Sequence, residues 1–292
     1  AAGRLLRRVQ AAGAVGFGGY ASFPACFMAA RQGRPVILHE QNGYLGLANR
    51  KMAKQAAAIG LTFREVAGIP ATTATQTLTG NPVRPAFIEL HGKPYPSPNP
   101  DGAFKILVLG GSQGARVFSD ILPAAIESLS AEQRARLDLV QQCRPEDIDD
   151  VRSAYERMGV AATLESFFDD IPARMSAAHL VISRAGASTV TEVLAAGRPA
   201  ILVPYPFAAD DHQTFNARAV ESEGAGCILP TDDFTVETVA ARLGDLLDNP
   251  SQLAPVAAKA AAAAVPDAAS RLADLVEEAM PNAQGSKVGA TS

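Results

Sequence analysis

The sequence predicts an α/β protein with two Rossmann-like parallel-sheet lobes, a ligand cleft between them and an incomplete first lobe. Three observations carry the α/β expectation. Short apolar runs alternate with helix-length segments along most of the chain. Three glycine-rich loops, at 16–20, 110–115 and 183–189, each lie between an apolar run and the start of a helix. A break rich in glycine and proline, from Gly80 to Pro100, divides the alternation in two.

The chain has 292 residues, of which 48% are apolar, enough for two ordinary domains and too many for general disorder. A net charge of −4 argues against a nucleic-acid partner, which would need a large basic face. Cys26, Cys143 and Cys227 are odd in number and far apart, so they read as small buried hydrophobes in a reducing compartment. No apolar run is long enough to span a membrane, no signal peptide is visible, and a cytoplasmic protein is expected. The first residue is Ala1, and the first methionine, Met28, falls inside a predicted helix, so the sequence is expected to be a fragment.

A basic helical stretch is expected over Arg4–Gln10, leading to the first glycine loop. A small-residue helix follows at Pro24–Arg31, and then a strand at Pro35–Leu38. His39, Glu40, Gln41 and Asn42 follow it, at the carboxyl end where open α/β sheets bind ligands. A helix at Leu47–Ala58 and strands at Ala58–Thr62 and Gln76–Thr79 complete the first lobe. The second half is predicted as strands at 105–109, 137–141, 162–165, 180–183, 200–203 and 226–229. Helices begin at Arg116, Pro145, Thr189 and Gln213, and two or three more extend to about Met280. The expected domains are 1–82, 83–264, a helix at 265–280 returning to the first lobe, and a flexible tail at 281–292.

A glycine loop that opens a helix offers unpaired backbone N–H groups, backed by the helix dipole, to a phosphate or sugar oxygen. Three such loops point to a diphosphate-linked ligand held between two lobes. There is no Asp-x-Asp element and no His/Cys/Asp cluster with metal-site spacing, so neither a metal nor a cofactor is expected.

Gly18-Gly19-Tyr20-Ala21-Ser22-Phe23-Pro24, His39-Glu40-Gln41-Asn42, Gly80-Asn81-Pro82-Val83-Arg84, Gly110 to Ala115, Ser183 to Glu192 and Asp211-His212-Gln213 with Asn216-Ala217 occur in that order. This set resembles the MurG family of GT-B glycosyltransferases. The resemblance implies inverting transfer of GlcNAc from UDP-GlcNAc to the muramyl C4 hydroxyl of undecaprenyl-diphosphate-linked MurNAc-pentapeptide. It also implies peripheral attachment to the cytoplasmic face of the inner membrane, to which the basic and apolar stretch Arg4–Val9 can dock; that stretch equally fits a helix packed on the first sheet.

The resemblance further implies roles for individual residues. Glu192 would accept the ribose hydroxyls, although Thr189-Val190-Thr191-Glu192 also fits a helix capping box. Ala187, Ser188 and Thr189 would bind the diphosphate, helped by Ser112 and Gln113 in the middle loop. Arg84 would reach the nucleotide, the alternative being a surface charge or an interlobe salt bridge. The backbone of Phe168 would read uracil, with Phe167 or Phe168 in the core. Gln213 would meet the transferred sugar and His212 the diphosphate, unless His212 is structural. Asn42 would bind a sugar. Glu40 is the carboxylate in this chain best placed for a general base, the alternative being a cap or an ion pair. No segment matches the family's Gly-Gly-His loop, so impaired activity is expected. The rival readings are another GT-B UDP-sugar enzyme, such as a glycolipid synthase or epimerase, and a non-catalytic UDP-sugar-binding paralogue.

Overall fold

The computed structural model describes residues 1–111 and 115–280. The chain divides into two compact units, one of Ala1–Pro82 with the segment from Val265 onward, the other of Val83–Ala264.

The first unit contains α1 (Ala2–Arg8), β1 (Ala14–Gly16), α2 (Gly19–Arg31), β2 (Val36–Glu40), α3 (Leu47–Met52), β3 (Ala58–Leu61) and β4 (Thr75–Leu78). Its strands are all parallel, in the order β1-β2-β3-β4, with Ile37 opposite both Val15 and Ala58. Every residue of β2 is buried, as a continuous apolar run covered on both faces requires. The strand runs two residues past the predicted end at Leu38, because His39 and Glu40 find protein partners for their polar atoms. The helix α3 is shorter than the predicted Leu47–Ala58; a 3₁₀ turn at Ala53–Gln55 follows it, and the Thr72 hydroxyl donates to the Ala53 carbonyl at 2.6 Å. In α2, Pro24 lies inside the helix, which begins at Gly19, instead of opening it.

The second unit contains α4 (Pro85–Ile88), β5 (Phe104–Leu109), α5 (Arg116–Glu127), α6 (Ala131–Ala135), β6 (Leu137–Gln142), α7 (Ile148–Arg157), β7 (Ala161–Glu165) and α8 (Ile171–Ala177). It continues with β8 (Leu180–Ser183), α9 (Ala187–Ala195), β9 (Ala200–Leu202), α10 (His212–Ser222), β10 (Gly226–Ile228), α11 (Val236–Asp248) and α12 (Leu253–Ala263). The chain then returns to the first unit in α13 (Ala268–Ala279), whose Leu275 packs with Ile37 and Ala58. Gly60 allows this close approach: a Cβ there would lie 2.9 Å from Thr79 Oγ1 and 3.3 Å from Leu272 Cδ1.

The second sheet is parallel, in the order β10-β9-β8-β5-β6-β7. On one face, α5 places Phe118, Leu122, Ala125 and Ile126 at helical spacing against the sheet core. Each such large buried side chain contributes about 1.5–3 kcal/mol. From β5 the strand order runs outward in both directions, through β6 on one side and β8 on the other. The crevice at such a reversal, beyond the carboxyl ends of β5 and β8, is the ligand position of open α/β sheets. It is flanked by the glycine loop that leads from β8 into α9.

Candidate functional site

Ser183 ends β8, and Gly186 is the N-cap of α9 in an extended conformation (φ −64°, ψ 144°) with no side-chain cap. The first-turn amides of Ala187, Ser188 and Thr189 therefore have no acceptor within the helix. No acidic residue occupies that turn. Positive dipole and unpaired donors together favour an anion there. The capping-box alternative for Thr189 and Glu192 does not form, because the helix starts two residues before Thr189. A real capping box stands elsewhere, between Ser130 and Gln133 at the start of α6.

Glu192 lies one turn further along α9. Its Oε1 accepts from Arg84 Nε at 3.0 Å, and the pair is lopsided, with side-chain exposures of 13% for Glu192 and 58% for Arg84. Burial raises the Glu192 pKa, and the hydrogen bond and charge of Arg84 oppose the shift. The Arg84 guanidinium also lies over the Phe87 ring, 4.8 Å from its centroid. Arg84 and Glu192 belong to the same unit, so this is not an interlobe bridge.

The entry to α9 is held from α10. Gln213 Oε1 accepts from the backbone N–H of Ala185 at 3.1 Å and of Tyr205 at 3.0 Å. Asn216 Nδ2 donates to the Ala185 carbonyl at 2.9 Å. Two backbone donors on one oxygen fix the orientation of the Gln213 amide and leave its NH₂ group for a ligand. His212 uses Nδ1 to donate to the Ala209 carbonyl at 2.7 Å. Arg184 donates to the carbonyls of Val203 and Pro204 and to Thr231 Oγ1, tying together the ends of β8, β9 and β10. Arg184 and Asn216 were visible within sequence motifs, but no local pattern reveals these long-range contacts.

Phe168 is buried, with the Arg174 guanidinium 4.3 Å from its ring centroid, whereas Phe167 is exposed. The core alternative thus applies to Phe168, and a buried side chain leaves the backbone as the part able to read a base. Ser112 and Gln113 lie outside the described residues, as does the predicted tail at 281–292.

In the first unit, Glu40 is buried and both carboxylate oxygens are occupied. Oε1 accepts from Asn42 N and Asn42 Nδ2, both at 3.0 Å. Oε2 accepts from Gly46 N and Asn49 Nδ2, both at 2.9 Å. A general base needs a lone pair open to the substrate proton. In this geometry the carboxylate anchors the 41–46 loop and the start of α3, as the cap alternative for Glu40 expects. Asn42 spends one amide hydrogen on that anchor. His39 donates from Nε2 to the Gly80 carbonyl at 2.9 Å, and burial lowers its pKa. In α1, Leu6 is buried, while Arg4, Leu5, Arg7 and Arg8, and Val9 just after it, are exposed. Among the described residues, no helix is long and apolar enough to cross a membrane.

A model of the glycosyltransferase family 28 C-terminal domain matches residues 105–272, and one of the family 28 N-terminal domain matches residues 1–61. The chain belongs to glycosyltransferase family 28. This family 28 chain is 53% identical over 274 residues to the UDP-N-acetylglucosamine--N-acetylmuramyl-(pentapeptide) pyrophosphoryl-undecaprenol N-acetylglucosamine transferase of Rhodospirillum centenum, covering 94% of this chain and 72% of that protein. It is 50% identical to the Rhodospirillum rubrum protein of the same name, over 93% of this chain and 70% of the relative. Among solved structures, Acinetobacter baumannii MurG aligns with a TM-score of 0.79 at 32% identity, over 95% of this chain and 77% of that one. The UDP-GlcNAc 2-epimerase of Neisseria meningitidis aligns with a TM-score of 0.65 at 14% identity, over 94% of this chain and 78% of that one, a likeness of fold alone. The family 28 fold is of GT-B type.

Proposed function

We propose that this chain carries the donor chemistry of an N-acetylglucosaminyltransferase that moves GlcNAc from UDP-GlcNAc to lipid-diphosphate-linked MurNAc-pentapeptide in peptidoglycan synthesis. The observation that carries this reading is the uncapped N-terminus of α9, with Glu192 one turn behind it, in a chain half identical to transferases of that name. The diphosphate of the donor rests on the amides of Ala187, Ser188 and Thr189. Glu192 accepts the ribose hydroxyls, Arg84 stands beside the nucleotide, and the Phe168 backbone meets the uracil edge. The Gln213 NH₂ group donates to the transferred sugar, with His212 near the diphosphate and Asn42 at a sugar on the acceptor side.

In the reaction, an acceptor hydroxyl attacks the anomeric carbon from the face opposite UDP. A C–O bond forms as the bond to the diphosphate breaks, and the hydroxyl proton passes to a base. Negative charge grows on the leaving diphosphate, where preorganised amides and a helix dipole stabilise it most. The lipid-linked acceptor requires work at the cytoplasmic face of the plasma membrane, and the exposed Arg4, Leu5, Arg7, Arg8 and Val9 supply mixed basic and apolar contacts for that surface. The test is transfer of labelled GlcNAc from UDP-GlcNAc to a short-chain lipid acceptor, with UDP as competitor. Label is expected in the lipid fraction, and UDP should suppress it. Label released only as free sugar, or transfer indifferent to UDP, would contradict the reading.

A further inference from the structure

The segment between β9 and α10 combines two features that oppose each other energetically. Its backbone is pinned almost residue by residue. Val203 N–H donates to the Ser183 carbonyl at 2.8 Å, and Arg184 takes the carbonyls of Val203 and Pro204. Thr231 Oγ1 also donates to Pro204 O at 2.8 Å, Tyr205 N–H is held by Gln213, and Ala208 N–H donates to the Tyr205 carbonyl at 3.1 Å. The turn ends in two successive left-handed residues, Asp210 (φ 53°) and Asp211 (φ 52°), a conformation that is costly for residues other than glycine.

On this rigid base stand two aromatic rings facing water. Tyr205 is 44% exposed and Phe207 82% exposed. They meet edge to face with centroids 5.6 Å apart, and the Arg184 guanidinium lies 5.6 Å from the Tyr205 centroid. A fold gains nothing by spending backbone strain to hold apolar rings in solvent. A preorganised ledge of this kind gains when a ligand face covers it.

We propose that Phe207, supported by Tyr205 and Arg184, is a stacking platform for the transferred hexose of the UDP-sugar. Proximity selects this occupant. One oxygen, Gln213 Oε1, holds both Ala185 N–H, just before the α9 N-cap, and Tyr205 N–H, at the root of the ledge. A diphosphate seated on the α9 amides therefore has its sugar beside the ledge, where the C–H face of a pyranose covers the ring. The inference rests on the donor-binding reading given above.

Calorimetry on the chain, with UDP and UDP-GlcNAc as separate ligands, tests it. Phe207→Ala should leave UDP affinity within twofold and weaken UDP-GlcNAc about five- to tenfold, the size of one aromatic contact. Phe207→Trp should restore most of the loss, and Phe207→Leu should not. If UDP-GlcNAc affinity is unchanged in Phe207→Ala, or if UDP weakens equally, the platform is overturned while donor binding stands. If the unsubstituted chain binds neither ligand, the donor-binding reading fails and takes the platform with it.

Discussion

Glu192 is under opposing influences, burial favouring the neutral acid and Arg84 favouring the carboxylate, and the net effect is a raised pKa. The sign follows. Its contribution to the stability of the unliganded fold is present at low pH and is lost as pH rises above the ordinary value of 4.5 and through the raised one. Ribose hydroxyls need the ionised form, so UDP affinity should fall as pH drops through that raised range. Glu192→Gln should remove this pH limb and weaken UDP and UDP-GlcNAc alike, by about 1.5–3 kcal/mol. A pH series of titrations on both proteins checks this; identical limbs in the two would show that Glu192 does not bind the nucleotide. Arg84 and Glu192 were both named from motifs, yet they are 108 positions apart, and only folding pairs them. Glu40 read as an available carboxylate because nothing in His39-Glu40-Gln41-Asn42 announces that Gly46 and Asn49 will take its second oxygen.

Strands were the most legible elements. Continuous apolar runs are accommodated best in a sheet covered on both faces, and β5 and β8 fall where such runs lie, whereas β6 alternates in burial. Short helices were missed. The α6 helix spans only Ala131–Ala135 and buries none of its residues, so it has no apolar stripe to read, although its Ser130–Gln133 box was available as a start signal. At the entrance to β8, His179 extends the ladder to β5 by an unusual route. Its backbone N–H donates to the Lys105 carbonyl at 2.9 Å, while its Nδ1 accepts Lys105 N–H at 3.0 Å. Accepting through Nδ1 is compatible with the neutral ring, and burial, reinforced by Lys105 and Arg198, lowers the pKa to about 4. The unfolded chain therefore binds a proton that the folded chain refuses. Stability should hold above about pH 6.5 and fall by roughly 2–3 kcal/mol as the pH drops toward 4. His179→Gln, which can still accept from Lys105, should flatten that decline. Urea midpoints measured by circular dichroism at pH 7.5, 5.5 and 4.5 would show this, and parallel declines in parent and variant would count against the assignment.

For the molecule as a whole, two parallel sheets were foreseeable from the alternation of elements and the break after Thr79. The return of α13 to β2 and β3 depends on Gly60 meeting Leu272 and on Gly80 meeting Val265 and Ala268 across more than half the chain, a match that no local window contains. In the second unit, strand order, an uncapped helix and a carboxylate one turn along it converge on a single crevice. There, the unpaired first-turn amides of α9 are proposed to hold the donor diphosphate. Ala187→Pro isolates this contact. Proline is tolerated at the first helical position, and Gly186 before it is already extended, so the fold should be kept and only an N–H lost. The variant should melt within a degree or two of the parent and bind UDP with a dissociation constant weaker by about ten- to a hundredfold, as for loss of one hydrogen bond to a charged group. An unchanged melting temperature with unchanged UDP affinity would contradict it.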